Sequence, residues 1–155
     1  MIRSFYFNKI VYYIAGAAAI LYALSYFIPS FYRIAGLMLV LLGVAVLIDM
    51  ILVYSKNKGI TASRELPERF SVGDQNRVQI HLINHYAFNV KTSIIDELPV
   101  QFQERNWMRK LILQPDQPAI LDYTLRPETR GEYTFYAINV FVHAPLKLVR
   151  RRFVF

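Results

Sequence analysis

The chain has 155 residues, a formal net charge of +7 and no cysteine. Without cysteine, this sequence has no disulfide, thiolate metal ligand or thiol nucleophile. Basic chains often bind nucleic acid, but anionic lipid headgroups explain basic residues beside a membrane segment more simply, so we expect no nucleic-acid partner.

The first third of the chain contains two long apolar stretches, separated only by Pro29–Arg33. A membrane-spanning helix needs roughly 17–25 mostly apolar residues, and both stretches satisfy this length. The short connection favours an antiparallel pair. The sequence therefore predicts a transmembrane hairpin in residues 1–57, with helices at about residues 10–28 and 33–54.

Positive charges lie mainly on the outer flanks of the predicted hairpin. Arg3 and Lys9 precede the first helix, Lys56 and Lys58 follow the second, and Arg33 alone lies in the turn. Lys and Arg are enriched on the cytoplasmic side of membrane proteins. We therefore expect a multi-pass protein with both termini in the cytoplasm.

Small residues form one face on each predicted helix. Gly16, Ala19 and Ala23 share a face of the first helix, and Gly36 and Gly43 share a face of the second. Small residues allow helices to approach closely in lipid. Two interpretations stay open: these faces pack the hairpin against itself, or they join copies of the chain into a homo-oligomer.

Asp49 is the one acidic residue inside the predicted spans. Intramembrane carboxylates are costly and often functional, so an ion or proton role is one interpretation. Antiparallel pairing would instead place Asp49 beside Tyr12 or Tyr13, with Lys9 one turn closer to water. A structural hydrogen bond or ion pair in this place needs no transport function.

From about residue 58 the apolar residues alternate with polar ones, as in β-strands. A change of parity near Ala137 predicts a bulge or bend. Residues 58–155 are therefore predicted to form an immunoglobulin-like antiparallel sandwich, so that the fold is a two-helix transmembrane hairpin followed by an all-β domain. The expected strands are near residues 77–82, 90–95, 111–113, 121–125, 133–142 and 146–155.

No pattern in the sequence predicts catalysis, a metal centre or a cofactor site. Asp96 and Glu97 are adjacent, so on a strand they point to opposite faces, and we expect them to hydrogen-bond the following turn. Arg130 is expected to pair with Glu128, Glu132 or Asp96, and Gly131 to supply a positive φ in a turn. The histidines lack the supporting ligands of a zinc site.

The densest basic run is Lys147 with Arg150, Arg151 and Arg152. Three interpretations stay open for it: a solvated edge strand protected from aggregation by charge, a contact with anionic headgroups, or a docking face for a protein partner.

Four short motifs follow the predicted hairpin in order: Ser71–Asp74, Asp96–Pro99, Arg130–Tyr133 and Ala144–Val149. With these motifs, the chain resembles the N-terminal half of the bacterial domain of unknown function 58 family. The resemblance implies two membrane helices, a β-sandwich and an inner-membrane location. Its motif residues, which would form turns and core, are Gly73, Asp74, Asp96, Pro99, Arg130, Gly131 and Tyr133.

This sequence departs from the family pattern at two places. Lys147 stands where the family usually has glycine, and the sequence stops at Phe155, before the second half that resembles a von Willebrand factor A domain. We therefore expect either a fragment or a shortened relative.

The resemblance implies a membrane-anchored, non-enzymatic accessory or docking protein. Such proteins are encoded beside MoxR-type AAA+ ATPases, and the implied role is complex assembly or envelope stress tolerance. The expected partners are the bilayer and a protein, either the ATPase or a von Willebrand factor A-type protein. The alternative is a structural, lipid-contacting membrane protein with a basic face.

Overall fold

A computed structural model describes residues 4–104 and 107–155, so Arg3 lies outside the described part. Two α-helices are followed by a β-rich region, which confirms the predicted fold class at this level. The helices are α1 (Lys9–Leu24) and α2 (Ser30–Tyr54). The strands are β1 (Phe5–Phe7), β2 (Ile60–Glu65), β3 (Asn76–Asn84), β4 (Val90–Asp96), β5 (Met108–Leu113), β6 (Pro118–Leu125), β7 (Ile138–His143) and β8 (Val149–Val154).

The strands form two sheets, with the orders β1-β8-β7-β4-β5 and β2-β3-β6. The chain divides into two compact units. The first contains Met1–Ser55 and His143–Arg151, and the second contains Lys56–Val142 and Arg152–Phe155.

In the first unit, α2 is long and apolar enough to cross a membrane, whereas α1 is a shorter apolar helix. Helix α1 ends four residues before the predicted position, because the Ser25 hydroxyl bonds the Tyr22 carbonyl and Pro29 disfavours helical backbone at the residue before it. Helix α2 begins earlier than predicted, at Ser30. Pro29 has a φ of −57°, which suits the start of a helix.

The helices bury alanines rather than the predicted small-residue faces. Ala18 of α1 and Ala35 of α2 are fully buried. In contrast, Gly16 and Gly43 are exposed, and a side chain added at either would meet nothing within 4 Å. Gly36 is different, since its added side chain would lie 3.3 Å from the Tyr22 hydroxyl. Gly16 and Gly43 therefore do not pack the hairpin against itself, whereas Gly36 lies against a side chain of α1.

A small apolar core joins the end of α2 to the chain segment around β8. Its buried members are Val53, Ala144, Leu148 and Val149. Strand β1, which the sequence did not predict, pairs with β8 in the register Phe5↔Arg151 to Phe7↔Val149. Because β8 has β1 on one side, it is not the edge strand that the sequence suggested.

The second unit is a β-sandwich with one core between its sheets. Strand β3 buries alternate residues, including Val78, Ile80 and Leu82, as the period-two pattern predicted. Strands β4 and β7 contribute Ile94 and Val140 to the same core. The sandwich therefore follows from alternating apolar residues in strands of both sheets.

The strands of the second unit differ from the prediction in two further places. Strand β2 was not predicted, although it pairs with β3 over its whole length. Strand β7 begins only at Ile138, so Tyr133 to Ala137 is not regular strand. Two backbone hydrogen bonds hold this irregular segment to Glu97, one to the Glu97 carbonyl from Tyr136 and one from the Glu97 amide to Ala137. These bonds fix the chain at the point where the parity changes.

Candidate functional site

Asp49 is fully buried in the first unit and binds a turn that lies 97 and 99 residues further along the chain. One carboxylate oxygen accepts the Leu146 backbone N–H at 2.9 Å. The other accepts the Leu148 backbone N–H at 2.8 Å. Both oxygens thus satisfy amides that would otherwise lack a partner in a buried place.

The turn itself has an unusual backbone conformation. Lys147 has a φ of 62°, in the left-handed region that glycine adopts most easily. Its backbone N–H bonds the Ala144 carbonyl at 2.9 Å. The Asn8 side-chain amide donates to the Lys147 carbonyl at 2.7 Å. Asp49 and Asn8 together hold this turn in place.

The expected neighbours of Asp49 are therefore wrong. Tyr12 and Tyr13 are 64% and 73% exposed, and neither they nor Lys9 bonds the carboxylate. The sequence contained no signal for the true partners, because they are backbone amides of a distant turn.

The basic run is mostly engaged within the protein. Arg151 donates to the Val53 carbonyl at 3.0 Å and lies over the Tyr54 ring at 4.6 Å. Arg152 donates to the Asn139 side-chain oxygen at 2.8 Å. Arg150 is half-buried. These three arginines therefore do not form a solvated strand.

Lys147 differs from the three arginines. Its side chain is exposed, beside the half-exposed Leu146. Of the four basic residues, Lys147 is the one with an exposed side chain.

In the second unit, Asp96 forms a buried charged cluster. Its carboxylate accepts two hydrogen bonds from the Arg64 guanidinium and one from the Tyr123 hydroxyl. Arg64 also donates to the Tyr136 carbonyl at 3.0 Å. Burial, and then the hydrogen bond to Asp96, raise the pKa of the Tyr123 phenol far above its ordinary value.

This arrangement corrects two expectations. Asp96 pairs with Arg64 rather than with Arg130 or the following turn. The adjacent Glu97 accepts from the Asn139 side chain at 2.6 Å, so the two acids have separate partners. The sequence could not identify Arg64, since β2 itself was not predicted.

Residues of two predicted motifs, Ser71–Asp74 and Arg130–Tyr133, line one groove of about 810 Å³ in the second unit. One wall is the segment Leu66–Val72, and the other is Arg130 to Phe135. The floor is aromatic: the Phe70 ring lies 5.9 Å from Phe135 and 6.3 Å from Tyr133, measured between centroids. We call this feature the aromatic groove.

The remaining motif residues support the groove from behind. Pro99 precedes a short 3₁₀ turn, Val100–Phe102, whose Phe102 ring lies 4.9 Å from Tyr133. Gly73 has a φ of 85°, which side chains rarely adopt, and its N–H bonds the Pro127 carbonyl at 2.9 Å.

Two further motif positions are defined by their backbone. Asp74 contributes a carbonyl that accepts from the Asn76 side chain at 3.0 Å. Gly131 has a φ of 159°, a positive value that side chains rarely adopt, as expected for a glycine at this position.

The histidines have separate partners. His81 lies 2.8 Å from a Glu65 oxygen, and His85 lies 3.1 Å from the Thr61 hydroxyl. Within residues 4–104 and 107–155, no group of three or more His, Asp or Glu side chains is arranged to hold a metal ion.

Comparison of the chain with protein-family models gave no match, and a search of curated proteins gave none either. The resemblance to the domain of unknown function 58 family thus stays a prediction from the four motifs.

Proposed function

We propose that this chain is a membrane-anchored, non-enzymatic accessory protein whose β-sandwich docks a protein partner. One observation carries the membrane part. Helix α2 leaves its large apolar side chains uncovered, whereas the core helix of a soluble protein buries them. These exposed residues include Leu37, Val40, Leu41, Leu47, Ile48 and Ile51.

The length of α2 supports a span that ends near Asp49. Residues 30–48 rise about 28 Å, close to the hydrocarbon thickness of about 30 Å. In this arrangement Asp49 and the last helical turns of α2 lie at the membrane–water interface. The Asp49 bonds to Leu146 and Leu148 then hold a backbone turn against the emerging helix.

We propose α1 as the second span of a hairpin in a bacterial inner membrane, with both termini in the cytoplasm. Its 16 helical residues rise about 24 Å, and the apolar residues after it add length. Tyr26 and Phe27 in the connection are highly exposed, as aromatic side chains at a membrane interface are. The Lys and Arg residues outside the hairpin favour this orientation.

Docking is the role that we assign to the sandwich, which we take to be immunoglobulin-like. The aromatic groove combines an apolar floor with charged residues at its walls, as binding sites do. By resemblance, the partner is a MoxR-type AAA+ ATPase or a von Willebrand factor A-type protein, acting in complex assembly or envelope stress tolerance.

Two further proposals concern the membrane. The exposed face with Gly16, Ala19 and Ala23 is free to join a second copy of the chain. Lipid contact is the alternative function, and the exposed Lys147 beside Leu146 favours it, because a cation next to an apolar side chain suits an anionic headgroup region.

Co-purification tests the docking proposal. The tagged full chain, extracted from membranes in mild detergent, is expected to retain a co-expressed MoxR-type ATPase of the same bacterium, but not an unrelated AAA+ ATPase. If the chain retains neither ATPase but binds vesicles that contain phosphatidylserine, and this binding requires Lys147, the lipid function would replace docking.

A further inference from the structure

The aromatic groove contains two guanidinium groups that have no partner among the residues that the structure describes. Arg69 lies on one wall and Arg130 on the other, and both are exposed. Among the described residues, neither forms an ion pair, a side-chain hydrogen bond or a ring contact. The acidic Glu68 is close in sequence but pairs with neither arginine.

Several other arginines of the second unit are engaged with neighbouring side chains. Arg77 bonds Asp122 at 2.9 Å, and Arg109 lies 5.6 Å from the centre of the Trp107 ring. Arg64, beneath the groove, is committed to Asp96 and also lies over the Phe135 ring at 5.0 Å. Its charge is thus already neutralised, so the charge offered to a ligand comes from Arg69 and Arg130.

The chemistry of the groove has two parts. A guanidinium binds a carboxylate through paired, charge-assisted hydrogen bonds. The Phe70, Tyr133 and Phe135 rings, which are only half-buried, offer contact area for an aromatic or large apolar side chain. At a given distance, Glu68 in the lining repels a doubly charged phosphate about twice as strongly as one carboxylate, and a peptide spreads its negative charges over separate carboxylates.

We propose that the aromatic groove binds an acidic peptide segment of the partner protein, with an aromatic side chain between carboxylates. The carboxylates bind Arg69 and Arg130, and the aromatic side chain lies on the rings of the floor. This inference rests on the proposed docking function and names the chemistry of the docked segment.

Fluorescence polarisation with the full chain in phosphatidylcholine nanodiscs tests the proposal. The probe is a fluorescein-labelled decapeptide of glycine and serine with a central aspartate-glycine-phenylalanine-glycine-aspartate, in which the three side chains share one face of an extended chain. A second decapeptide carries lysines in place of the aspartates. The acidic probe is expected to bind, and Arg69→Gln and Arg130→Gln each to weaken its binding about tenfold, the usual effect of losing a charged hydrogen bond. The basic probe is expected not to bind.

Arg126→Gln is the matched control, because Arg126 is also exposed and unpaired but does not line the groove. It is expected to leave the affinity unchanged, and all variants are expected to keep the wild-type melting temperature. Equal binding of the two probes, an equal loss with Arg126→Gln, or complete displacement of the acidic probe by millimolar inorganic phosphate would overturn the proposal.

The double variant Arg69→Gln with Arg130→Gln separates this inference from the docking function. If the ATPase co-purifies with the wild type and equally with the double variant, docking stands and the groove is not its site. If the ATPase co-purifies with the wild type alone, both are supported.

Discussion

The Asp49 carboxylate of α2 accepts the backbone N–H of Leu148 at 2.8 Å, although 99 positions separate the two residues. The second oxygen accepts the Leu146 N–H. Each carboxylate oxygen thus accepts one backbone hydrogen bond, which gives this acidic residue of an apolar helix a structural role. This contact supports the structural interpretation of Asp49.

Removing the Asp49 carboxylate should destabilise the first unit. In Asp49→Ala the Leu146 and Leu148 amides lose their acceptors, at a cost of about 1.5–3 kcal/mol for each charge-assisted bond. Denaturant unfolding in detergent micelles, followed by circular dichroism, measures the change. Asp49→Asn keeps one acceptor oxygen and should lose less, and an unchanged midpoint for Asp49→Ala would contradict the structural role.

Lys147→Gly should stabilise the protein. Lys147 has a φ of 62°, a conformation that costs a non-glycine residue about 1–2 kcal/mol of folding free energy. Part of the gain from glycine is offset, because glycine has more conformational freedom in the unfolded chain. We expect a higher melting temperature for Lys147→Gly and a lower one for Lys147→Val, since a β-branched side chain fits this conformation worst. A lower melting temperature with glycine would show that the turn is not strained.

The two helices and several strands were predictable because each leaves a local pattern. Val78, Ile80 and Leu82 alternate in the sequence and lie in the core of the sandwich. In contrast, β1 has only three residues, and its pairing with β8 depends on a segment more than 140 positions away. Contacts of this kind leave no local pattern.

The candidate site was predictable only as motif positions. Arg130 and Tyr133 were identified by their motif, but the sequence did not place Phe70 or Arg69 opposite them. The basic run was misleading for the same reason. Arg151 and Arg152 are close in sequence, yet their partners, Val53 and Asn139, are distant.

Asp96→Asn should be strongly destabilising. It leaves the Arg64 guanidinium, whose side chain is only 12% exposed, without its counter-charge. Removing one partner of a buried ion pair costs about 3–5 kcal/mol. Asp122→Asn is the control, because that ion pair with Arg77 is exposed, and it should change the free energy of unfolding little. Equal effects of the two variants in denaturant unfolding would contradict the buried cluster.

The Tyr123 phenol should make the protein sensitive to alkaline pH. Its pKa is raised in the folded state above the ordinary value of 10.0, by burial and by the bond to Asp96. The folded state therefore holds the phenol proton more tightly than the unfolded chain does. This contribution is fully present below about pH 10 and is lost as the pH rises further.

Tyr123→Phe checks this pH dependence, since phenylalanine does not titrate. The free energy of unfolding should fall more steeply above pH 10 in the wild type than in the variant. Parallel pH profiles would show that another group is responsible.

The membrane hairpin is the central claim, and the absence of cysteine allows a direct measurement of its topology. Single cysteines are introduced as Tyr26→Cys, in the connection between the helices, and Arg126→Cys, in the sandwich; both positions are exposed. Whole cells with a permeabilised outer membrane are treated with a membrane-impermeant maleimide. The proposed topology predicts labelling of Tyr26→Cys in intact cells and of Arg126→Cys only after lysis. Labelling of both cysteines in intact cells, or of neither until lysis, would contradict it.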